Sequence, residues 1–289
     1  MTLRIAVLGA GTMGAGIASV FASVGNEVSL YSRSQDTLDD ARAAISERTV
    51  TYTTSVAECV ADAEVICETV VESLAVKRDL FAELESLAPP DCLLTTNTSS
   101  IPITSIASVL RRPERLVGLH WFNPPPVMPL VEVIRGERTD DGVVAHTREI
   151  CSGAGKQVIE VCQDVPGFVV NRLQYALFRE AVHLVEQGIA SIDDVDRAVS
   201  TTLAPRWSAC GPLRLMDLAG LDTVEKVAAT ILPSLNVQSV VPDAVSQRVS
   251  RGEYGTKTGR GFYEWTPEEI ASTTRRRDAI VELLTREGR

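Results

Sequence analysis

Short apolar runs alternate with amphipathic segments through the first half of the chain. Ile5–Leu8 and Glu27–Tyr31 read as strands, followed by helices over Met13–Val24 and Leu38–Ile45 respectively. Further strands are expected at Glu64–Cys67, Cys92–Thr95 and Leu116–Leu119, with a helix over Val76–Leu87 between the first two. Leu130–Ile134 and Val158–Val161 add two more. Such alternation predicts a parallel sheet covered by helices on both faces. After Asp164-Val165-Pro166-Gly167 the texture changes. One long apolar-periodic helix spans Phe168–Glu186, and Ile192–Thr201 and Met216–Ile231 are also helical. The boundary is expected near Pro166, with an α/β domain over residues 1–166 and an all-α domain over 167–289.

The strongest local signal is Gly9-Ala10-Gly11-Thr12-Met13-Gly14, which leaves the first strand and opens the first helix. That context makes it a Rossmann-type phosphate-binding turn. Gly9 permits the tight turn, Gly11 lets backbone approach a pyrophosphate, and Gly14 lets helix pack on strand. Thr12 and Met13 begin the helix whose N-terminus faces the anion. A nicotinamide dinucleotide, NAD(P), is therefore expected. The second strand ends in Leu30-Tyr31-Ser32-Arg33-Ser34. NAD enzymes usually carry an acid there for the ribose 2′-hydroxyl. Ser32 stands in its place, and Arg33 offers positive charge, so NADP is favoured over NAD. The plainer reading of Arg33 is a solvated surface arginine.

His120 ends a predicted strand, on the edge where open α/β sheets bind ligands. Glu132 lies in the apolar run Leu130-Val131-Glu132-Val133, where a carboxylate needs a partner. Between them Pro124-Pro125-Pro126 forces an extended bend. A returning strand would set Glu132 beside His120, and a histidine–carboxylate pair suits proton transfer.

Composition narrows the field. The 289 residues carry a formal charge of −10, which argues against a nucleic-acid binder. The 6 cysteines form no C-x-x-C pair and there are 3 histidines, so no metal site is expected. The cysteines read as mostly buried, reduced thiols. No signal peptide and no apolar stretch of membrane-spanning length stand out, so a cytoplasmic protein is expected. The basic run Thr274-Arg275-Arg276-Arg277-Asp278 reads as a solvated helix face.

Taken together, these motifs make the sequence similar to the 3-hydroxyacyl-CoA dehydrogenase family. The resemblance covers nearly the whole chain: the Gly9 turn, Glu72 with Lys77, Asn97-Thr98-Ser99-Ser100, and the His120-to-Glu132 block. It continues through Pro166-Gly167-Phe168-Val169-Val170-Asn171-Arg172-Leu173 and Gly211-Pro212 to Lys257-Thr258-Gly259-Arg260-Gly261-Phe262-Tyr263. It implies that His120 is the general acid/base and Glu132 orients it. It implies that Ser99 and Asn171 hydrogen-bond the reacting oxygen or the neighbouring carbonyl. Glu72, Lys77, Asn97, Ser99, Asn123 and Lys257 would lie around the nicotinamide half of the cofactor. The helical domain would close the site and form a homodimer.

Two departures bear on the substrate. The family's fatty-acid-oxidising members carry a longer, basic helical hairpin after the second strand that helps hold coenzyme A. Here only Ser34 to Thr54 separates that strand from the next element. The run Leu203-Ala204-Pro205-Arg206-Trp207 before Gly211-Pro212 resembles instead the branch acting on free hydroxy acids, such as gulonate and carnitine dehydrogenases, with Arg206 as a substrate contact. Asn171-Arg172-Leu173-Gln174-Tyr175-Ala176 leans the same way, whereas Asn97–Ser100 and His120–Phe122 lean toward acyl-CoA. The expected reaction is hydride transfer between a nicotinamide cofactor and a 3-hydroxy/3-oxo acyl thioester, on CoA or a carrier protein. The alternatives are a dehydrogenase of a free small hydroxy acid and a noncatalytic, crystallin-like cofactor binder. A nucleotide-sensing regulator would need an appendage that the sequence does not present.

Overall fold

The computed structural model describes residues 2–287. The chain divides into two compact units, Met1–Arg172 and Leu173–Arg289.

The first unit is built on one eight-stranded sheet. Its strands are β1 (Arg4–Leu8), β2 (Glu27–Tyr31), β3 (Val50–Thr53), β4 (Val65–Glu68), β5 (Leu93–Thr96), β6 (Leu116–Trp121), β7 (Leu130–Ile134) and β8 (Gln157–Val161). They lie in the order β3-β2-β1-β4-β5-β6-β7-β8. Every neighbouring pair is parallel except β6 and β7, which are antiparallel. The helices are α1 (Thr12–Ser23), α2 (Gln35–Ala44), α3 (Val56–Val60), α4 (Leu74–Leu87), α5 (Ile103–Ala107) and α6 (Asp141–Gly153).

The strands read as nearly unbroken apolar runs because both sheet faces are covered. Alternate residues feed opposite cores. Ile5 and Val7 join Ile17, Phe21 and Trp121 on one face. Ala6 and Leu8 join Phe81, Leu94 and Ile106 on the other. Phe21 and Phe81 are each fully buried, which stabilises by about 1.5–3 kcal/mol per ring. Strand order reverses around β1, with β2 on one side and β4 on the other. The C-terminal strand ends there form the crevice that holds ligands in such sheets.

The structure differs from the sequence reading in several places. Val50–Thr53 forms an edge strand where the sequence pattern predicts a connection. Only Val50 in it is buried, so its apolar signal is weak. Glu64 lies outside β4, which instead runs on to Glu68. Helix α6 was not anticipated, although Asp140 caps it by accepting a hydrogen bond from the Gly142 N–H.

The second unit is helical. It contains most of α7 (Val170–Glu186), then α8 (Ile192–Ala198), α9 (Ala204–Ala219), α10 (Leu221–Ile231), α11 (Asp243–Ser250) and α12 (Pro267–Glu287). A π-helical turn at Val199–Leu203 joins α8 to α9. The single helix expected over Met216–Ile231 is two, broken at Gly220, whose φ of 87° ends the first. Arg275, Arg276 and Arg277 are exposed on α12, as read from the sequence. Among the described residues of this unit, Val182 alone is buried. No described helix is long and apolar enough to cross a membrane.

Candidate active site

The glycine turn sits at the C-terminal end of β1. Gly9 has φ 114°, a conformation open to glycine, and its N–H donates to Tyr31 O at 2.9 Å. A Cβ on Gly14 would run into the Gly9 carbonyl oxygen, whereas one on Gly11 would meet nothing within 4 Å. Backbone is thus packed tightly on one side of the turn and open on the other. Gly11 caps α1 with no side-chain hydrogen bond, and no acidic residue lies in the first turn. The free N–H groups of Thr12 and Met13 and the positive end of the helix suit a pyrophosphate, so a dinucleotide cofactor fits. Ser32 is the first residue beyond β2, beside this turn; it is half-buried and Arg33 is exposed.

A buried polar network crosses the neighbouring strand ends. Glu68, fully buried at the end of β4, receives Lys77 Nζ at 2.7 Å on Oε1 and 3.0 Å on Oε2. It also accepts the Thr96 hydroxyl at 2.6 Å and the Val70 N–H at 2.7 Å. Lys77 reaches Glu72 at 3.4 Å. Glu72 Oε1 accepts the Thr98 hydroxyl at 2.7 Å and the N–H groups of Ser99 and Ser100 at 3.0 and 3.1 Å. Burial pushes the Glu72 carboxyl up, but the Thr98 hydroxyl, Lys77, the Ser100 hydroxyl and the Ser99 N–H outweigh it and hold the group below its ordinary value. Glu68 is the residue the sequence reading missed. It closes the apolar run Val65-Ile66-Cys67 instead of lying inside one, as Glu132 does.

His120 and Glu132 face each other across the antiparallel β6–β7 pair. Nδ1 lies 2.7 Å from Oε2, with both side chains buried. A carboxylate oxygen only accepts, so Nδ1 carries the hydrogen, and in the neutral imidazole Nε2 is then the nitrogen with the lone pair. The other oxygen, Oε1, accepts the N–H groups of Val169 and Val170 at 3.0 Å each. Asn97 Oδ1 accepts the Trp121 N–H at 2.8 Å, which fixes the end of β6 beside β5. The loop from β6 to β7 is tied down by Lys156, whose Nζ donates to Pro125 O at 2.7 Å and Met128 O at 2.9 Å. Burial holds the Lys156 amine below its ordinary value.

The first unit therefore brings together His120 and Glu132, and separately Glu72, Lys77 and Ser99. Asn171 Nδ2 is 3.4 Å from Ser99 O, a long hydrogen bond. Asn123 is exposed on the proline loop, and its side chain makes no hydrogen bond among the described residues. Arg206 and Lys257 are both exposed in the second unit; Arg206 Nε donates to Thr202 O at 3.0 Å, in the π-helical turn that precedes its helix.

The comparisons agree with this layout. The family described as 3-hydroxyacyl-CoA dehydrogenase, NAD binding domain, matches residues 4–165, and its C-terminal domain matches residues 167–265. A 3-hydroxybutyryl-CoA dehydrogenase of Mycobacterium tuberculosis is 40% identical over 285 residues, covering 91% of this chain and 98% of its own. A 5-formyl-3-hydroxy-2-methylpyridine 4-carboxylate 5-dehydrogenase of Mesorhizobium japonicum is 34% identical, and both chains are covered in full. A solved structure of an enzyme of that description, an NAD+-dependent dismutase, superposes with a TM-score of 0.94 over 100% of both chains at 34% identity. The (S)-3-hydroxybutyryl-CoA dehydrogenase of Ralstonia eutropha gives 0.74 over 92% of this chain and 100% of its own, at 30% identity. With both domains matched in order along one chain, the protein belongs to the 3-hydroxyacyl-CoA dehydrogenase family, whose members are nicotinamide-dependent oxidoreductases.

Proposed function

We propose that the protein interconverts a 3-hydroxyacyl and a 3-oxoacyl thioester, carried on CoA or a carrier protein. The observation that carries this is the buried His120–Glu132 pair at the ligand-binding edge of the sheet. When bound, the nicotinamide cofactor accepts or supplies the hydride. In oxidation His120 Nε2 takes the hydroxyl proton; in reduction it returns a proton to the ketone oxygen. Glu132 holds Nδ1–H and stabilises the imidazolium that forms. Ser99 and Asn171 orient the reacting oxygen or the adjacent carbonyl, and Glu72, Lys77, Asn97 and Asn123 surround the nicotinamide half. Residues 1–166 bind cofactor; residues 167–289 bind substrate and pair two subunits.

NADP is favoured over NAD, because Ser32 removes the acid that repels a 2′-phosphate and Arg33 adds charge. The homodimer is supported by the helical unit itself. A packed domain needs a core, yet Val182 is its one buried side chain among those described. Leu213 and Leu218 on α9 are 82% and 78% exposed, while Phe178, Tyr254, Phe262 and Trp265 line an open groove of about 430 Å³. A second copy supplies the missing apolar surface to both. All six cysteines are free, in keeping with a cytoplasmic protein.

A second reading, a dehydrogenase of a free small acid, is favoured by one observation. The end-to-end superposition is on an enzyme of a pyridine carboxylate and extends past residue 265, where the family match ends, to include α12. Arg206 would then hold the carboxylate. The deciding assay follows NADH and NADPH oxidation with acetoacetyl-CoA, a carrier-linked analogue, free 3-oxo acids and a pyridine-carboxylate aldehyde. Turnover confined to the free acids overturns the thioester reading. No turnover with any class, alongside tight cofactor binding, supports the noncatalytic alternative.

A further inference from the structure

The loop entering α7 holds two successive residues at positive φ, Gly167 at 78° and Phe168 at 51°. Phe168 is the one non-glycine residue with positive φ among those described. A bulky residue there strains the backbone, a strain that glycine would avoid. The side chain is nevertheless buried, 1% exposed.

What the turn accomplishes is visible on its two sides. The Phe168 ring meets the His120 imidazole edge-on, centroids 5.6 Å apart and planes at 61°. Phe122 meets the same imidazole at 4.7 Å and 62°, so two phenyl rings hold it. The N–H groups that follow, Val169 and Val170, both donate to Glu132 Oε1. One strained residue thus aims its ring at the histidine and its following backbone at the histidine's carboxylate. Asn171 comes next in the chain, so the same turn also sets where that side chain starts.

We propose that Phe168 is a positioning residue for proton transfer. Its ring and left-handed backbone keep the His120 imidazole in one rotamer and one neutral tautomer, with Nδ1–H on Glu132 and Nε2 presented to the substrate. This rests on reading His120 as the acid/base, and the test separates the two.

Full-length Phe168→Leu keeps an apolar side chain but loses the ring. The expected result is a kcat lower by about 10–100-fold, as for a small misplacement of a reacting group, with the dissociation constant for nicotinamide cofactor within twofold of wild type. The imidazole ¹⁵N resonances of neutral His120 should be two resolved signals in wild type and should move toward averaged values in the variant. If the leucine variant does not fold, Phe168→Met is read in the same way. A folded variant with kcat within twofold of wild type overturns the proposal, as does averaging already present in wild type. His120→Gln is the control. If it keeps full turnover, the acid/base reading itself fails; if it is inactive while Phe168→Leu is fully active, only the positioning role fails.

Discussion

Lys77 Nζ lies 2.7 Å from Glu68 Oε1, and both side chains are sealed from solvent, at 1% and 0% exposure. The pair joins the end of β4 to α4 beside the cofactor crevice. Breaking a buried pair by removing one partner typically costs about 3–5 kcal/mol, because the other charge is left uncompensated. Glu68→Gln and Lys77→Met should each lower the unfolding free energy by about that much. The double variant should recover much of the loss, since neither member of the fully buried pair is left charged without the other. Cofactor affinity should not recover with it, because Lys77 is gone. Denaturant unfolding and cofactor titration of all four proteins check both halves; strictly additive destabilisation would mean the two groups are not coupled.

The contrast between Glu68 and Glu132 shows what sequence could and could not deliver. Glu132 was legible because apolar residues flank it on both sides and a proline bend separates it from His120, so antiparallel return was the natural geometry. Glu68 ends its apolar run, Val65-Ile66-Cys67, and so looked like the polar residue that stops a strand. The glycine turn was legible because a strand enters it and a helix leaves it. Strand β3 was not, since an edge strand with one buried side chain has little hydrophobic signal. Gly220 hid inside a periodicity that continues on both of its sides. Phe168 belongs to one of the motifs that carry the family resemblance, but nothing in a sequence marks a phenylalanine as left-handed. It becomes visible once the chain is folded, together with the ring's contact with His120.

The His120–Glu132 pair gives an unequal pair of substitutions. His120→Gln should lower turnover by roughly 10²–10⁴-fold and leave cofactor binding largely intact. Glu132→Gln faces a conflict. Oε2 must accept from His120 and Oε1 from Val169 and Val170, yet an amide has one acceptor oxygen. Either the imidazole takes the wrong tautomer or two N–H donors lose their partner, which costs about 1–3 kcal/mol. Both lower kcat, and the second also lowers the melting temperature. Near-wild-type kcat in either variant would remove that residue from the assignment.

Glu72 should contribute to stability in a defined pH window. Its carboxyl is held below its ordinary value of 4.5 in the folded protein. A group depressed in this way stabilises above its unfolded pKa, and the contribution disappears as pH falls through the folded one. The melting temperatures of wild type and Glu72→Gln should therefore differ by a constant amount above about pH 5.5 and converge in more acidic solution. A gap that widens with acid would contradict this.

Thiol chemistry should sort the cysteines. Cys162 is exposed and Cys210 half-buried, whereas Cys59, Cys67, Cys92 and Cys151 are buried. Burial pushes the Cys59 thiol up to about 11 and those of Cys67 and Cys92 up to about 12. At pH 8 about one Cys59 in a thousand would be thiolate, the reactive form. Titration of the native protein with an aromatic disulfide should modify Cys162 first and Cys210 more slowly, with the other four reacting only after unfolding. Rapid loss of a buried thiol in the native state would show local opening of the first unit.

Cofactor choice turns on two adjacent residues. β1 and β2 are parallel, with Leu8 paired to Tyr31, and the Gly9 N–H donates to Tyr31 O. Ser32 therefore leaves the strand beside the phosphate turn, where an acid would otherwise receive the adenosine ribose. Its hydroxyl accepts the Ser34 N–H at 3.3 Å and carries no charge to repel a 2′-phosphate. Arg33 is exposed and makes no ion pair among the described residues, which leaves its planar fork available to a phosphate. Opposing this, an enzyme that superposes on the whole chain is described as NAD+-dependent, and loss of repulsion alone does not create selectivity. The double substitution Ser32→Asp with Arg33→Ala restores the acid and removes the cation together. Wild type should favour NADPH in kcat/KM, and the double variant should shift toward NADH. Arg33→Ala alone should weaken NADPH while leaving NADH nearly unchanged, because only the 2′-phosphate meets the guanidinium. If wild type works well with NADH and barely with NADPH, Ser32 is a neutral ribose ligand and Arg33 a solvated side chain, and the cofactor is NAD.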